Sequence, residues 1–290
     1  MGRCSATILS VVLLAVTGVA AIAAPASAAP ATQFVVGQSV TDSTEFRLTG
    51  ARCPSGTVVY GGGGDIVDGG NEVFLQQLDS FGHTDQFFVQ AHEDWAGIYQ
   101  NWTLYAWAVC GPPLSGMRYV FRRSTADSAS RHTVVVSCPE GTRVLSVGGS
   151  AVAVTPVHET WRHLILDAIR PSADLTTVTV EGYEDEIGTS EPWRVTASAI
   201  CAEERPRQLR YTVVSGSDSF RKQLSAECPA GTVPYSAGAD LTGPPGQVHF
   251  DRLVPHHQSG LTGGDLDARD DRTGTSFTDW TATLHMICAA

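Results

Sequence analysis

Cys53-Pro54-Ser55-Gly56-Thr57, Cys138-Pro139-Glu140-Gly141-Thr142 and Cys228-Pro229-Ala230-Gly231-Thr232 are three copies of one pentad, and their recurrence decides the fold. Ten residues beyond each first cysteine stands a glycine (Gly63, Gly148, Gly238). A tryptophan then stands eight residues before a closing cysteine: Trp102/Cys110, Trp193/Cys201 and Trp280/Cys288. Self-similarity at a fixed spacing marks an internal repeat, in which one supersecondary unit is copied and its copies bury faces against each other. Upstream, Phe34-Val35-Val36, Tyr119-Val120-Phe121 and Tyr211-Thr212-Val213 open the copies, so the repeats run over 33–110, 118–201 and 210–288. The joints, Gly111-Pro112-Pro113-Leu114-Ser115-Gly116 and Ala202-Glu203-Glu204-Arg205-Pro206, are too short to act as tethers.

Residues 1–28 read as a signal for export: Arg3, an apolar run from Ile8 to Ala24, and the small-residue end Ala26-Ser27-Ala28. No second apolar run follows, so no membrane span is expected and the protein is read as secreted and extracellular. Setting Cys4 aside with the signal leaves an even set of cysteines, which in an exported chain reads as a disulfide framework. A repeat that closes on itself pairs Cys53 with Cys110, Cys138 with Cys201 and Cys228 with Cys288. A rival that is also regular pairs Cys110 with Cys138 and Cys201 with Cys228, and closes a ring through Cys53 and Cys288. The chain carries 19 basic against 30 acidic residues, net −11, with no basic cluster denser than Arg122-Arg123. That balance argues against a nucleic acid or an anionic membrane as partner. Lys222, the single lysine among many arginines, reads as compositional bias without a mechanism.

Within each repeat, short runs rich in Val, Thr, Phe, Tyr and Trp alternate with Gly, Pro, Asn, Asp and Ser, a β pattern that predicts about five strands per unit. The last strand is the most legible. Trp102, Leu104, Ala106, Ala108 and Cys110 share one face, as do Trp193, Val195, Ala197, Ala199 and Cys201, and Trp280, Ala282, Leu284, Met286 and Cys288. These faces should point inward, and Arg194, Thr196, Ser198, Thr281, Thr283 and His285 should face solvent. The glycine stretch, Gly61-Gly62-Gly63-Gly64 in the first copy, sits where a strand belongs, which implies a bulge or a backbone approach too close for a side chain.

An acidic pair closes the strand before each tryptophan: Glu93-Asp94, Glu184-Asp185 and Asp270-Asp271. The ordinary role of such a pair is to accept backbone N–H groups or an arginine at a turn. Carboxylates recurring at one structural position would also suit calcium, the one cofactor these residues suggest, if the symmetry brought them together. His158-Glu159-Thr160-Trp161-Arg162-His163 has one residue too many between its histidines for a zinc-protease helix. No Gly-x-Ser-x-Gly elbow occurs, and the acids that stand out repeat with the scaffold instead of marking one site, which argues against an enzyme. The aromatics outside the repeat frame, Trp95, Tyr99, Trp107 and Trp161, are the candidates for a stacking platform that binds a glycan or another cell-surface component.

The whole frame, Cys-Pro-x-Gly-Thr, glycine run, acidic pair, tryptophan and closing cysteine, resembles secreted repeat proteins of high-GC Gram-positive bacteria whose activity is uncharacterised. That resemblance implies export and fold and no reaction. More distantly, three β units with Cys-Pro-x-Gly segments resemble the vitelline membrane outer layer proteins, which implies a threefold β-prism related in shape to some plant lectins. The expected fold is therefore all-β, three homologous antiparallel repeats with pseudo-threefold symmetry in a β-prism-like arrangement, the alternative being three tandem small β-sandwiches. The expected function is a lectin-like, non-catalytic binding module. The alternatives are a structural envelope or matrix protein without a small-molecule site, and an extracellular hydrolase.

Overall fold

The computed structural model describes residues 32–155, 158–217, 220–258, 261–270 and 279–290; the expected signal segment and Asp271 lie outside them. Each third of the chain supplies six strands, against the about five that the sequence pattern suggested. The first third holds β1 (Gln33–Gln38), β2 (Phe46–Arg52), β3 (Val58–Val67), β4 (Val73–Asp79), β5 (Gln86–Glu93) and β6 (Thr103–Gly111). The second holds β7 (Arg118–Arg123), β8 (Arg131–Ser137), β9 (Thr142–Ala153), a one-turn helix α1 (His158–Trp161), β10 (Leu164–Pro171), β11 (Thr177–Glu184) and β12 (Trp193–Glu203). The third holds β13 (Leu209–Val214), β14 (Arg221–Glu227), β15 (Val233–Thr242), β16 (Val248–Gln258), β17 (Leu261–Asp270) and β18 (Thr281–Ala289).

The strands form three six-stranded antiparallel sheets, and no sheet belongs to one repeat. In each repeat the first, third and sixth strands form one half and the second, fourth and fifth the other. The order β2-β5-β4-β9-β12-β7 joins repeats 1 and 2, β13-β18-β15-β10-β11-β8 joins 2 and 3, and β1-β6-β3-β16-β17-β14 joins 3 and 1. We call these the 1–2, 2–3 and 3–1 sheets. Each repeat therefore straddles a corner of a triangular prism and shares a single hydrophobic core with the other two. Tandem sandwiches would keep each repeat's strands together, so this exchange of halves excludes them.

The disulfides close within repeats, Cys53–Cys110, Cys138–Cys201 and Cys228–Cys288, over 57, 63 and 60 residues. Each ties the end of a second strand to a sixth strand lying in a different sheet, so each bridges a corner. In the chain-entropy description a loop of this length restricts the unfolded chain by roughly 4 kcal/mol, an upper figure.

The glycine strands β3, β9 and β15 approach one another between the sheets. A Cβ added at Gly61 would stand 2.2 Å from the Tyr235 carbonyl oxygen on β15, whereas at the recurring Gly63 and Gly238 it would stand 2.0 and 2.4 Å from the Leu253 and Ile169 carbonyl oxygens on the paired strands β16 and β10. Only glycine fits such an approach, which accounts for its recurrence. Each third strand also carries a bulge that turns one large residue inward: Tyr60, Leu145 and Tyr235, all fully buried.

The inward faces of β6, β12 and β18 are buried as expected. Their opposite faces are less exposed than alternation suggested. Ser198 and His285 are buried, and Ser198 donates to Asp79 Oδ1 at 2.7 Å. Burial drives the His285 imidazole down to about 4, with Arg210 and Arg170 adding to the effect.

Candidate functional site

The recurring acids first serve the tryptophans. Glu93 Oε1 accepts the Trp102 indole N–H at 3.0 Å, and Glu184 Oε1 accepts that of Trp193 at 3.0 Å. Asp270 is buried at the corresponding end of β17. The second acid holds the following turn: Asp94 Oδ1 accepts from Ala96 and Gly97 at 2.9 Å, and Asp185 Oδ1 from Ile187 and Gly188 at 3.0 and 2.9 Å. Burial raises the Asp94 carboxyl to about 6. A buried polar residue covers each indole: the Arg47 guanidinium 4.5 Å from the Trp102 ring, His132 edge-on to Trp193 at 4.4 Å, and Lys222 Nζ 4.8 Å from Trp280. Lys222 is thus a corner residue with a packing role, which corrects its reading as mere compositional bias. Glu93, Glu184 and Asp270 end strands of three different sheets, and among the described residues no group of three or more His, Cys, Asp or Glu is placed to hold a metal ion.

The outer faces of the sheets are where the repeats diverge. The fourth strand of every repeat carries a bulge whose extra residue is buried and polar: Gln76, Asp167 and Asp251. Beside it runs a row of three side chains across the seam between two repeats. The row reads Gln90, Gln77, Ser150 in the 1–2 sheet; Glu181, Ala168, Asp240 in the 2–3 sheet; and Asp267, Arg252, Asp65 in the 3–1 sheet.

In the 3–1 sheet the row forms part of an open cleft of about 480 Å³. Its acids are held by guanidinium groups. Arg252 meets Asp65 and Asp265 at 3.2 Å each, Arg221 Nε donates to Asp267 at 2.7 Å, and Arg269 pairs with Asp251. Burial nevertheless raises Asp65 to about 6 and raises Asp251 as well. In the 2–3 sheet Arg170 bridges Asp240 at 2.5 Å and Glu181 at 3.2 Å, and burial, reinforced by the charges of Asp240 and Glu181, pushes Asp167 up to about 8.

The 1–2 sheet is different. Its bulge residue Gln76 donates to the Trp161 and Leu164 carbonyls at 2.6 and 3.0 Å and accepts from Gln90 at 3.1 Å, so the local network is neutral. Here the row forms the floor of a cleft of about 340 Å³ between two aromatic walls. One wall is the edge strand β7, where Tyr119, Phe121 and Arg123 point outward together by the strand's alternation. The Tyr119 and Phe121 rings stack at 5.9 Å, and the Arg123 guanidinium lies 5.3 Å from the Phe121 ring. The Tyr119 hydroxyl donates to Asp79 Oδ2 at 2.9 Å, which fixes that ring, and burial and the neighbouring carboxylate raise its pKa. The other wall is Trp161 on α1, packed edge-on against His92 and Phe46 at 5.3 and 6.0 Å.

Phe81 closes one end of this cleft from the turn between β4 and β5. His83 N–H donates to the Ser80 carbonyl at 2.8 Å across a turn whose central residues, Phe81 and Gly82, both have positive φ, 51° and 78°. Asparagine or glycine normally fills the first of these positions, and a bulky residue there is strained. Phe81 is exposed and rests on Phe88 at 5.6 Å.

Of the four aromatics singled out in the sequence, Trp161 lines this cleft. Trp95 and Tyr99 are exposed on the β5–β6 connection, and Trp107 is half-buried on β6 in the 3–1 sheet, so the four do not form one platform. Tyr119 and Phe121 were legible as a strand opening and missed as a site, because aromatics inside the repeat frame read as scaffold. The signal that distinguishes them is the outward triplet Tyr119, Phe121, Arg123, which the other first strands lack. His163, of the near-miss zinc pattern, bonds Asp185 at 2.7 Å, and that contact raises its pKa. No protein-family model and no curated protein matches the chain.

Proposed function

We propose that the protein is an extracellular, non-catalytic, lectin-like module that binds a glycan in the outer cleft of the 1–2 sheet. Three disulfides, and the absence among the described residues of any helix long and apolar enough to cross a membrane, fit that setting. One observation carries the reading: Tyr119, Phe121 and Trp161 line a cleft together with the amides and hydroxyls of Gln77, Gln90, Ser150 and Thr196, with Asp79, Arg123 and Arg194 as its charged members. Aromatic faces stack on the apolar side of a sugar ring while amides and hydroxyls bond its alcohols, and a cleft of this size lies in the range of small-ligand sites. A structural matrix protein would have no need of such a cleft.

The test is a broad glycan array followed by calorimetry on the best ligand. Phe121→Ala, at an exposed position, should cost roughly tenfold or more in affinity with an unchanged melting temperature. An empty array, or full affinity in that variant, sinks the reading.

A second reading, extracellular hydrolysis, is favoured by the 3–1 cleft, where Asp65 is pushed up to about 6 beside Asp251 and Asp267. A carboxyl in that range suits a general acid. Release of reducing ends from soluble polysaccharides by the native protein, abolished by Asp65→Asn, would support it; release that persists in the variant would rule out this site.

A further inference from the structure

The turn that closes the glycan cleft also walls a second cavity. Asp79 and Phe81 face the 1–2 cleft, whereas Ser80, Gly82, His83 and Thr84 line a pocket of about 200 Å³ on the other side. Tyr119 lines both. The second pocket is otherwise built from Val58, Val59, Pro113, Met117 and Ile200, side chains from both repeats and the joint between them. Its lining is mainly apolar, while the cleft floor beside it is amide and hydroxyl. The two cavities thus lie on either side of one tyrosine ring that Asp79 holds in place, and the strained turn at Phe81 and Gly82 runs along the same partition.

An apolar pocket open to water gains by taking an apolar group, and a polar cleft gains by taking hydroxyls. One ligand satisfies both if it is a saccharide with a hydrocarbon substituent that crosses Tyr119. We propose that this pocket receives a short acyl group carried by the bound glycan, so that the ligand class is an acylated saccharide. Arg118, also in the pocket lining, supplies donors for the ester or amide carbonyl. This inference rests on the glycan reading of the cleft. It commits to a soluble, short-chain ligand, because a pocket of this size at interior packing density fills at about six to eight carbons.

The experiment is a chain-length series, with methyl, butyl, hexyl, octyl and dodecyl glycosides of glucose, galactose, mannose and maltose titrated below their micelle concentrations. Each fully buried methylene multiplies affinity roughly fourfold, so the five added from methyl to hexyl should raise binding by up to about a thousandfold, after which it levels off. Thr84→Trp, at an exposed position in the lining, fills the pocket. It should flatten the series and leave methyl glycoside binding unchanged.

Equal affinity for methyl and hexyl glycosides overturns the inference and leaves the glycan reading intact. So does a chain-length rise that survives Thr84→Trp. Affinity that keeps climbing to dodecyl, together with binding to vesicles containing an alkyl glycoside, overturns the short-chain assignment in favour of a membrane glycolipid. If no glycoside binds, the inference falls; the glycan reading falls with it only if the array is also empty.

Discussion

The 1–2 and 3–1 sheets present the same backbone row with opposite chemistry: Gln90, Gln77 and Ser150 in one, Asp267, Arg252 and Asp65 in the other. Both rows lie across a seam between two repeats, beside a bulged fourth strand. The inner faces, glycines and disulfides hold the backbone, so the outer row is free to diverge. What it becomes depends on how it satisfies itself. A charged row consumes its guanidiniums on its own carboxylates, because buried ions must be paired. A neutral row leaves amide and hydroxyl capacity for a ligand.

The largest effect should separate the two rows directly. Arg252→Leu strips the cation from Asp65 and Asp265 and is expected to cost about 2–4 kcal/mol at pH 7, whereas Gln77→Leu at the equivalent position should cost less than about 1 kcal/mol. The Arg252→Leu penalty should shrink as pH falls toward 5, where Asp65 takes up its proton. Urea unfolding at both pH values checks this, and equal costs for the two variants would break the comparison.

A smaller effect sharpens it through the third row. Asp167 stands where the 1–2 sheet has Gln76, and its folded pKa lies above the ordinary carboxylate value. The native state then holds a proton that the unfolded chain releases, so this group's contribution to stability falls as pH rises from about 4 to about 8. Asp167→Asn removes that slope. It should add about 1–3 kcal/mol at pH 8 and nearly nothing at pH 4.5 in paired thermal melts.

The smallest expected effect sets stability against binding within the 1–2 sheet. Phe81→Asn places a favoured residue at positive φ and should stabilise the fold by about 1 kcal/mol, while weakening saccharide binding through loss of the aromatic end wall. Unchanged affinity alongside the stability gain would remove Phe81 from the site.

Much of the fold was legible because it is periodic. The pentads, the closing cysteines and the alternation of Trp102, Trp193 and Trp280 with small apolar residues mark three β units, and treating each copy as self-closing favours the pairing that the structure shows. The glycine stretch was legible as a close approach. Lys222 stands six residues before Cys228, as Arg47 and His132 stand before Cys53 and Cys138, but it was not legible because the residue type at that position changes from copy to copy. Nor was the cleft, since Tyr119 and Trp161 are far apart in the chain and meet only across the 1–2 sheet.

The chain's order of residues was enough to establish strands and repeats, because alternation and recurrence are local or periodic signals, while the choice between two regular sulfur pairings came from the structure. Which halves share a sheet was decided only in three dimensions: β4 finds β9 and not β3, and every outer row is assembled from two repeats. The seam sets which side chains become neighbours, and the charges of those neighbours determine whether a face spends its polar groups on itself or keeps them for a ligand.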